Sequence, residues 1–109
     1  MNPWALALLL AVSLVTEAAR AEDPPGDPRR GFELSGPCAS CHEGDGRSAG
    51  YRLYPRIAGQ HRSYLVIALT EFRRRERHQA FAFQMWDPTS PLSDQDIRDL
   101  AAYYSGLPW

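Results

Sequence analysis

Cys38-Ala39-Ser40-Cys41-His42 is the stretch that decides how the rest of the chain is read. These two cysteines are the only ones present, and three positions apart they cannot tie distant parts of a fold together, which excludes a disulfide scaffold. C-x-x-C-H is the attachment signature for c-type haem. Each thiol adds across one vinyl group of the porphyrin, and His42, next to the second cysteine, reaches the iron as the proximal axial ligand. A single helical turn separates Cys38 from Cys41, which suits two vinyl groups on one side of the macrocycle. Other uses of C-x-x-C fit less well. A thioredoxin-like dithiol sits beside a βαβ pattern, which is missing, and a zinc site would have to recruit His61 and His78, too far apart in sequence for an H-x₃₋₅-H pair.

Working outward, Trp4 to Val15 is almost wholly apolar and is followed by Ala19-Arg20-Ala21, a small-x-small pattern. The run is too short to span a bilayer, which takes roughly 20 residues. It fits the apolar region of a secretory signal, so residues 1–21 are expected to be a signal peptide, although the segment before the run carries no Lys or Arg. Removing 21 of 109 residues leaves 88, a domain small enough to profit from a bound group in its core. Residues 22–30 read as a linker and the start of a first helix, and residues 31–109 as the folded domain.

The composition is that of one globular domain, with 44% hydrophobic and 23% charged residues and a net charge of −1. Twelve basic residues balance thirteen acidic ones, without the basic excess of a nucleic-acid binder. Every basic residue is Arg.

Three helical segments are expected. Asp27-Pro28 supplies an N-cap and a first-turn proline for a short helix toward Gly36-Pro37. Residues 43–50, with three glycines, form a loop. A second helix runs from about Gln60 to Gln79, with Leu65, Ala68, Leu69 and Phe72 along one face. Residues 80–91 are expected to be irregular. The last helix opens with Ser93 and Asp96 as a capping box, carries Ile97, Leu100, Ala101 and Tyr104 as its apolar stripe, and stops at Gly106. With no alternating strand pattern, the fold class is all-α.

Apart from Met1, Met85 is the only methionine, in a loop 43 residues beyond His42. Taken alone it suits either a soft thioether ligand or a flexible core filler. His61 and His78 are the other candidates for a second axial position. Arg73-Arg74-Arg75-Glu76-Arg77 reads either as a docking patch for an acidic partner or as a solvated helix end, the latter favoured by an i,i+4 spacing of Glu71 and Arg75.

From about Gly31 to the C-terminus the chain resembles the small soluble class I c-type cytochromes, including those forming halves of di-haem periplasmic cytochromes. The resemblance rests on Cys38-Ala39-Ser40-Cys41-His42, Pro55-Arg56-Ile57-Ala58-Gly59-Gln60, Tyr64-Leu65 with Phe72-Arg73, and Leu92-Ser93-Asp94-Gln95-Asp96-Ile97 running into Leu100-Ala101-Ala102-Tyr103-Tyr104. It implies a cytochrome c fold, three to four helices wrapped around one covalently bound haem c per chain. In that fold the first and last helices cross, with Gly31 allowing close approach among Leu34, Leu100 and Tyr103. It implies Met85 as the distal ligand and the Pro55 carbonyl as acceptor for the His42 ring N–H. It also implies Arg56, Gln60 and Tyr64 near the haem propionates. The expected function is an exported, periplasmic one-electron carrier, not an enzyme, working as a monomer or in transient complexes. Its redox donor and acceptor would be proteins such as a cytochrome complex, an oxidase or a dehydrogenase, with no nucleic acid and no membrane span after signal cleavage. The alternatives are a haem-binding sensor or gas-binding cytochrome with an open distal site, or an accessory cytochrome subunit of a larger oxidoreductase complex.

Overall fold

A computed structural model describes residues 25–50 and 53–109. The expected signal segment therefore lies outside the described residues. Among the described residues five α-helices follow one another: α1 Pro28–Leu34, α2 Gly36–His42, α3 Arg62–Arg73, α4 Trp86–Thr89 and α5 Asp94–Ser105. A 3₁₀ turn, Ala82–Met85, leads directly into α4. There is no strand among the described residues, as the all-α reading requires.

Helix α5 is the axis of the domain, packing against α1 and α3. Its start follows from the sequence. Ser93 accepts from the Asp96 N–H, and the Asp96 carboxylate accepts from the Ser93 N–H, both at 3.0 Å. Leu100, Ala101 and Tyr104 of α5 join Leu65 of α3 in the buried core, with Leu34, Ile57, Leu69 and Leu92 around them. At the α1–α5 crossing Gly31 is buried, and a Cβ there would overlap the Asp99 carbonyl oxygen and stand 2.7 Å from the Tyr103 Cβ. Only a residue without a side chain lets these two backbones meet.

Several local expectations are corrected. The first helix runs toward Gly36-Pro37 as expected and stops at Leu34, just short of Pro37, which has no N–H to continue the ladder. Ser35 turns back onto the Phe32 carbonyl, and α2 begins afresh with Pro37 in its first turn. Helix α3 is shorter than Gln60 to Gln79 because its apolar stripe runs out at Phe72. Arg75 then adopts φ +57°, and the Arg73 guanidinium donates to the Leu92 carbonyl at 3.0 Å and to Asp94 at 2.6 Å. Since Arg75 has left the helix, Glu71 pairs with Arg77 at 2.7 Å and not with Arg75. Arg75 instead lies over the Trp86 ring, 5.5 Å from its centroid. Residues 80–91 contain the 3₁₀ turn and α4 and are not simply irregular. Gly106 caps α5 with right-handed φ of −82°, so its freedom to turn left-handed is not used.

Candidate functional site

Helix α2 carries both cysteines, one turn apart, and ends on His42. The imidazole is buried, and its Nδ1 lies 2.8 Å from the Pro55 carbonyl oxygen. A carbonyl only accepts, so Nδ1 carries the proton and Nε2 keeps its lone pair. Burial lowers the His42 pKa from its ordinary value and so favours a neutral ring, an effect partly opposed by the hydrogen bond to the Pro55 carbonyl, which raises it. Ser48, a buried residue of the loop after α2, also donates to the Pro55 oxygen, at 3.1 Å, and its N–H is held by the His42 carbonyl at 3.2 Å. Residues 43–50 thus pin both the histidine and its acceptor.

Cys38 and Cys41 are not joined to each other in a disulfide, so both sulfurs are available to a bound group. Tyr104 is buried and raised well above the usual phenol range by that burial.

Cys38, Cys41 and His42 form one wall of a cavity of about 600 Å³. Met85, half-buried at the end of the 3₁₀ turn, lines it too. Its carbonyl accepts from the Thr89 hydroxyl at 2.6 Å, and Trp86 Nε1–H donates to the Arg77 carbonyl at 3.0 Å, so both sides of the Met85 segment are tied down. Leu34, Ile57, Leu65, Leu69 and Leu100 supply apolar surface. Pro55, Arg56, Gln60 and Tyr64 complete the set, so all eight residues singled out in the sequence line the same cavity. His61 and His78 do not. His61 stands exposed before α3, and His78 is exposed against the edge of Trp86. Thr89 and Ser48 were missed, since hydroxyls on a helix or in a Gly-rich loop carry no spacing signal, and Tyr104 was read only as part of the apolar stripe of the last helix.

The cavity meets the requirements of haem. It has the size of a site for a large organic group and walls that are mostly apolar. The donor set of two thiols, a neutral imidazole and a thioether is that of a haem attachment and ligation site. The buried Nε of Arg56 has no hydrogen-bond partner among the described residues, as a site for an anionic group would leave it.

An all-helical shell around such a cavity, with C-x-x-C-H on its wall, defines a haem-binding protein. The family model described as "Cytochrome c" matches residues 29–107, and the chain belongs to the cytochrome c family of electron-transfer haem proteins. It is 38% identical over 95 residues to cytochrome c4 of Thiocapsa roseopersicina, covering 85% of this chain and 47% of that protein. It is also 38% identical over 80 residues to cytochrome c-554(548) of Halomonas halodenitrificans, covering 73% of this chain and 95% of that protein. The crystal structure of reduced recombinant cytochrome c4 from Pseudomonas stutzeri superimposes with a TM-score of 0.67 at 32% identity, over 76% of this chain and 46% of that one. The chain thus spans about half the length of its cytochrome c4 relatives, while it covers nearly all of the c-554(548) relative. Members of the family bind covalently attached haem c, and with one C-x-x-C-H motif this chain carries one.

Proposed function

We propose that this chain is an exported single-haem electron carrier with His42 and Met85 as the axial ligands of the iron. Bound haem c supplies a one-electron Fe(III)/Fe(II) couple. The observation that carries the reading is that His42 and Met85, 43 residues apart in the sequence, line one cavity. Cys38 and Cys41 fix the porphyrin by thioether bonds. The Pro55 carbonyl holds the Nδ1 proton, orients the ring and leaves Nε2 to ligate. Thr89 and Trp86 hold the Met85 segment, so the thioether has little freedom to swing away. Leu65, Leu69 and Leu100 exclude water, which keeps the environment of the iron dry in both oxidation states. Arg56, with Gln60 and Tyr64, faces the haem carboxylates.

Residues 1–21 act as the export signal in this reading, and the mature domain works in the periplasm between a redox donor and acceptor. No helix among the described residues is long and apolar enough to cross a membrane. The test is the far-red spectrum of the oxidised protein. A methionine–iron charge-transfer band is expected, lost in Met85→Ala together with a fall in potential, since a thioether favours reduced iron. A wild-type spectrum without that band at neutral pH overturns His/Met ligation and leaves the open-site sensor as the reading.

A further inference from the structure

The charged side chains along the cavity are not equivalent. Arg77 is paired with Glu71 at 2.7 Å, and Asp96 with Arg30 at 2.6 Å. Arg56 forms no ion pair among the described residues, and its Nε is buried without a partner. What Arg56 does have is Trp109. The guanidinium carbon lies 4.8 Å from the centroid of the indole ring, within cation–π range. An indole offers a donor but no acceptor, so this contact holds the cation without answering its hydrogen-bond donors.

The tail that carries Trp109 is fastened to the segment that carries Arg56. Gly59 N–H donates to the Tyr104 carbonyl at 2.9 Å, and Leu107 N–H shares that acceptor at 3.2 Å. Gly59 has φ +72°, and a Cβ there would stand only 3.1 Å from both the Cα and Cβ of Trp109. Glycine thus allows the turn and also the close passage of the tail. Trp109 is 69% exposed, so hydrophobic burial does not account for its seat.

We propose that Trp109 is a positioning residue that clamps the Arg56 guanidinium at the cavity wall, leaving its N–H groups free to pair with a carboxylate of the bound haem. The inference rests on the reading of Arg56 given above and adds what holds it. A guanidinium with a long flexible stem pairs well only when its geometry is fixed, and the ring fixes it from the side away from the ligand.

The experiment follows the midpoint potential of the holoprotein against pH for wild type, Arg56→Gln, Trp109→Phe, Trp109→Leu and the Arg56→Gln/Trp109→Leu double variant. A carboxylate beside a fixed arginine ionises at low pH, and its protonation raises the potential by removing a negative charge near the iron. Trp109→Leu keeps an apolar side chain but removes the π face, and should move that inflection upward by about one pH unit, as Arg56→Gln does. Trp109→Phe should hold it near the wild-type position, and the double variant should match Arg56→Gln alone. An inflection moved by Arg56→Gln but not by Trp109→Leu overturns the clamp while the Arg56 reading stands. An inflection moved by neither overturns both. Equal shifts that add in the double variant also overturn the clamp, because Trp109 would then act independently of Arg56.

Discussion

The α1–α5 crossing and the cavity wall are built from similar residues and close in opposite ways. At the crossing, the buried Asp99 carboxylate accepts from the Asp27 N–H at 2.7 Å, Gln95 at 2.9 Å and Arg30 at 3.1 Å. The backbones touch at Gly31, and Phe32 meets Tyr103 edge-on at 5.6 Å. Every element of that contact is supplied by the chain. Along the cavity, Arg56 keeps an unanswered buried nitrogen, and Leu53, Tyr64 and Phe81 remain about half exposed or more. One region is finished by the polypeptide; the other has surface that only a bound group can cover. The difference teaches where stability comes from: the crossing holds the helices, and the haem completes the core that a small domain otherwise lacks.

The largest way to break this contrast is to cut the covalent attachment. Cys38→Ala/Cys41→Ala should leave haem extractable by acid-acetone, whereas the unaltered protein retains it. A tight ligand that binds only the folded state contributes on the order of 4 kcal/mol at a thousandfold excess over its dissociation constant, and extraction should remove about that much. Amide hydrogen exchange should then loosen around residues 53–60 and 76–92 before α1 and α5. Uniform loss of protection across both regions would erase the distinction.

Much of this was legible because it is local. A C-x-x-C-H string, a Ser93-to-Asp96 capping box and the Asp27-Pro28 opening each carry their chemistry within five residues. Met85 and the Pro55–Tyr64 group were reached through family resemblance, not through spacing. Helix ends were less legible, since the stop at Arg73 depends on Leu92 and Asp94, which the Arg73 side chain finds only once the chain has turned back. Asp99 was missed for a similar reason. Between Arg98 and Leu100 it reads as one more polar helix position, and its burial follows from Gly31 bringing α1 against it. Trp109 likewise gains its meaning from a contact 53 positions away in sequence, with Arg56.

A second, smaller test addresses the crossing itself. In Gly31→Ala the new methyl overlaps a backbone carbonyl, so α1 and α5 must separate. Overpacking of this kind costs about 3 kcal/mol, to be read from urea unfolding of the holoprotein. Gly36→Ala is the control, because a Cβ there meets no atom within 4 Å, and its effect should stay within about 0.5 kcal/mol. Equal losses in the two variants would mean that close approach at Gly31 is not what holds the crossing.

The smallest effect, and the one that separates charge from packing, is expected in Asp99→Asn. Burial pushes the Asp99 pKa up, but the Asp27 N–H, Gln95 and Arg30 together outweigh it and hold the group below the usual carboxylate range. A group depressed in the folded state contributes stability above its unfolded pKa and loses it as pH falls through the folded value. The native protein should therefore weaken at pH below about 4. Asparagine keeps one acceptor oxygen for the Asp27 N–H and Gln95, which share it, but turns an amide donor toward Arg30, a loss of about 1.5 kcal/mol at neutral pH. Below the carboxylate range the difference should shrink, because Asp99 is then neutral as well. Urea midpoints of the two holoproteins between pH 3 and pH 7 measure it. Curves that stay parallel throughout would show that the Asp99 charge does not hold α1 to α5, leaving Gly31 and the Phe32–Tyr103 contact to do so alone.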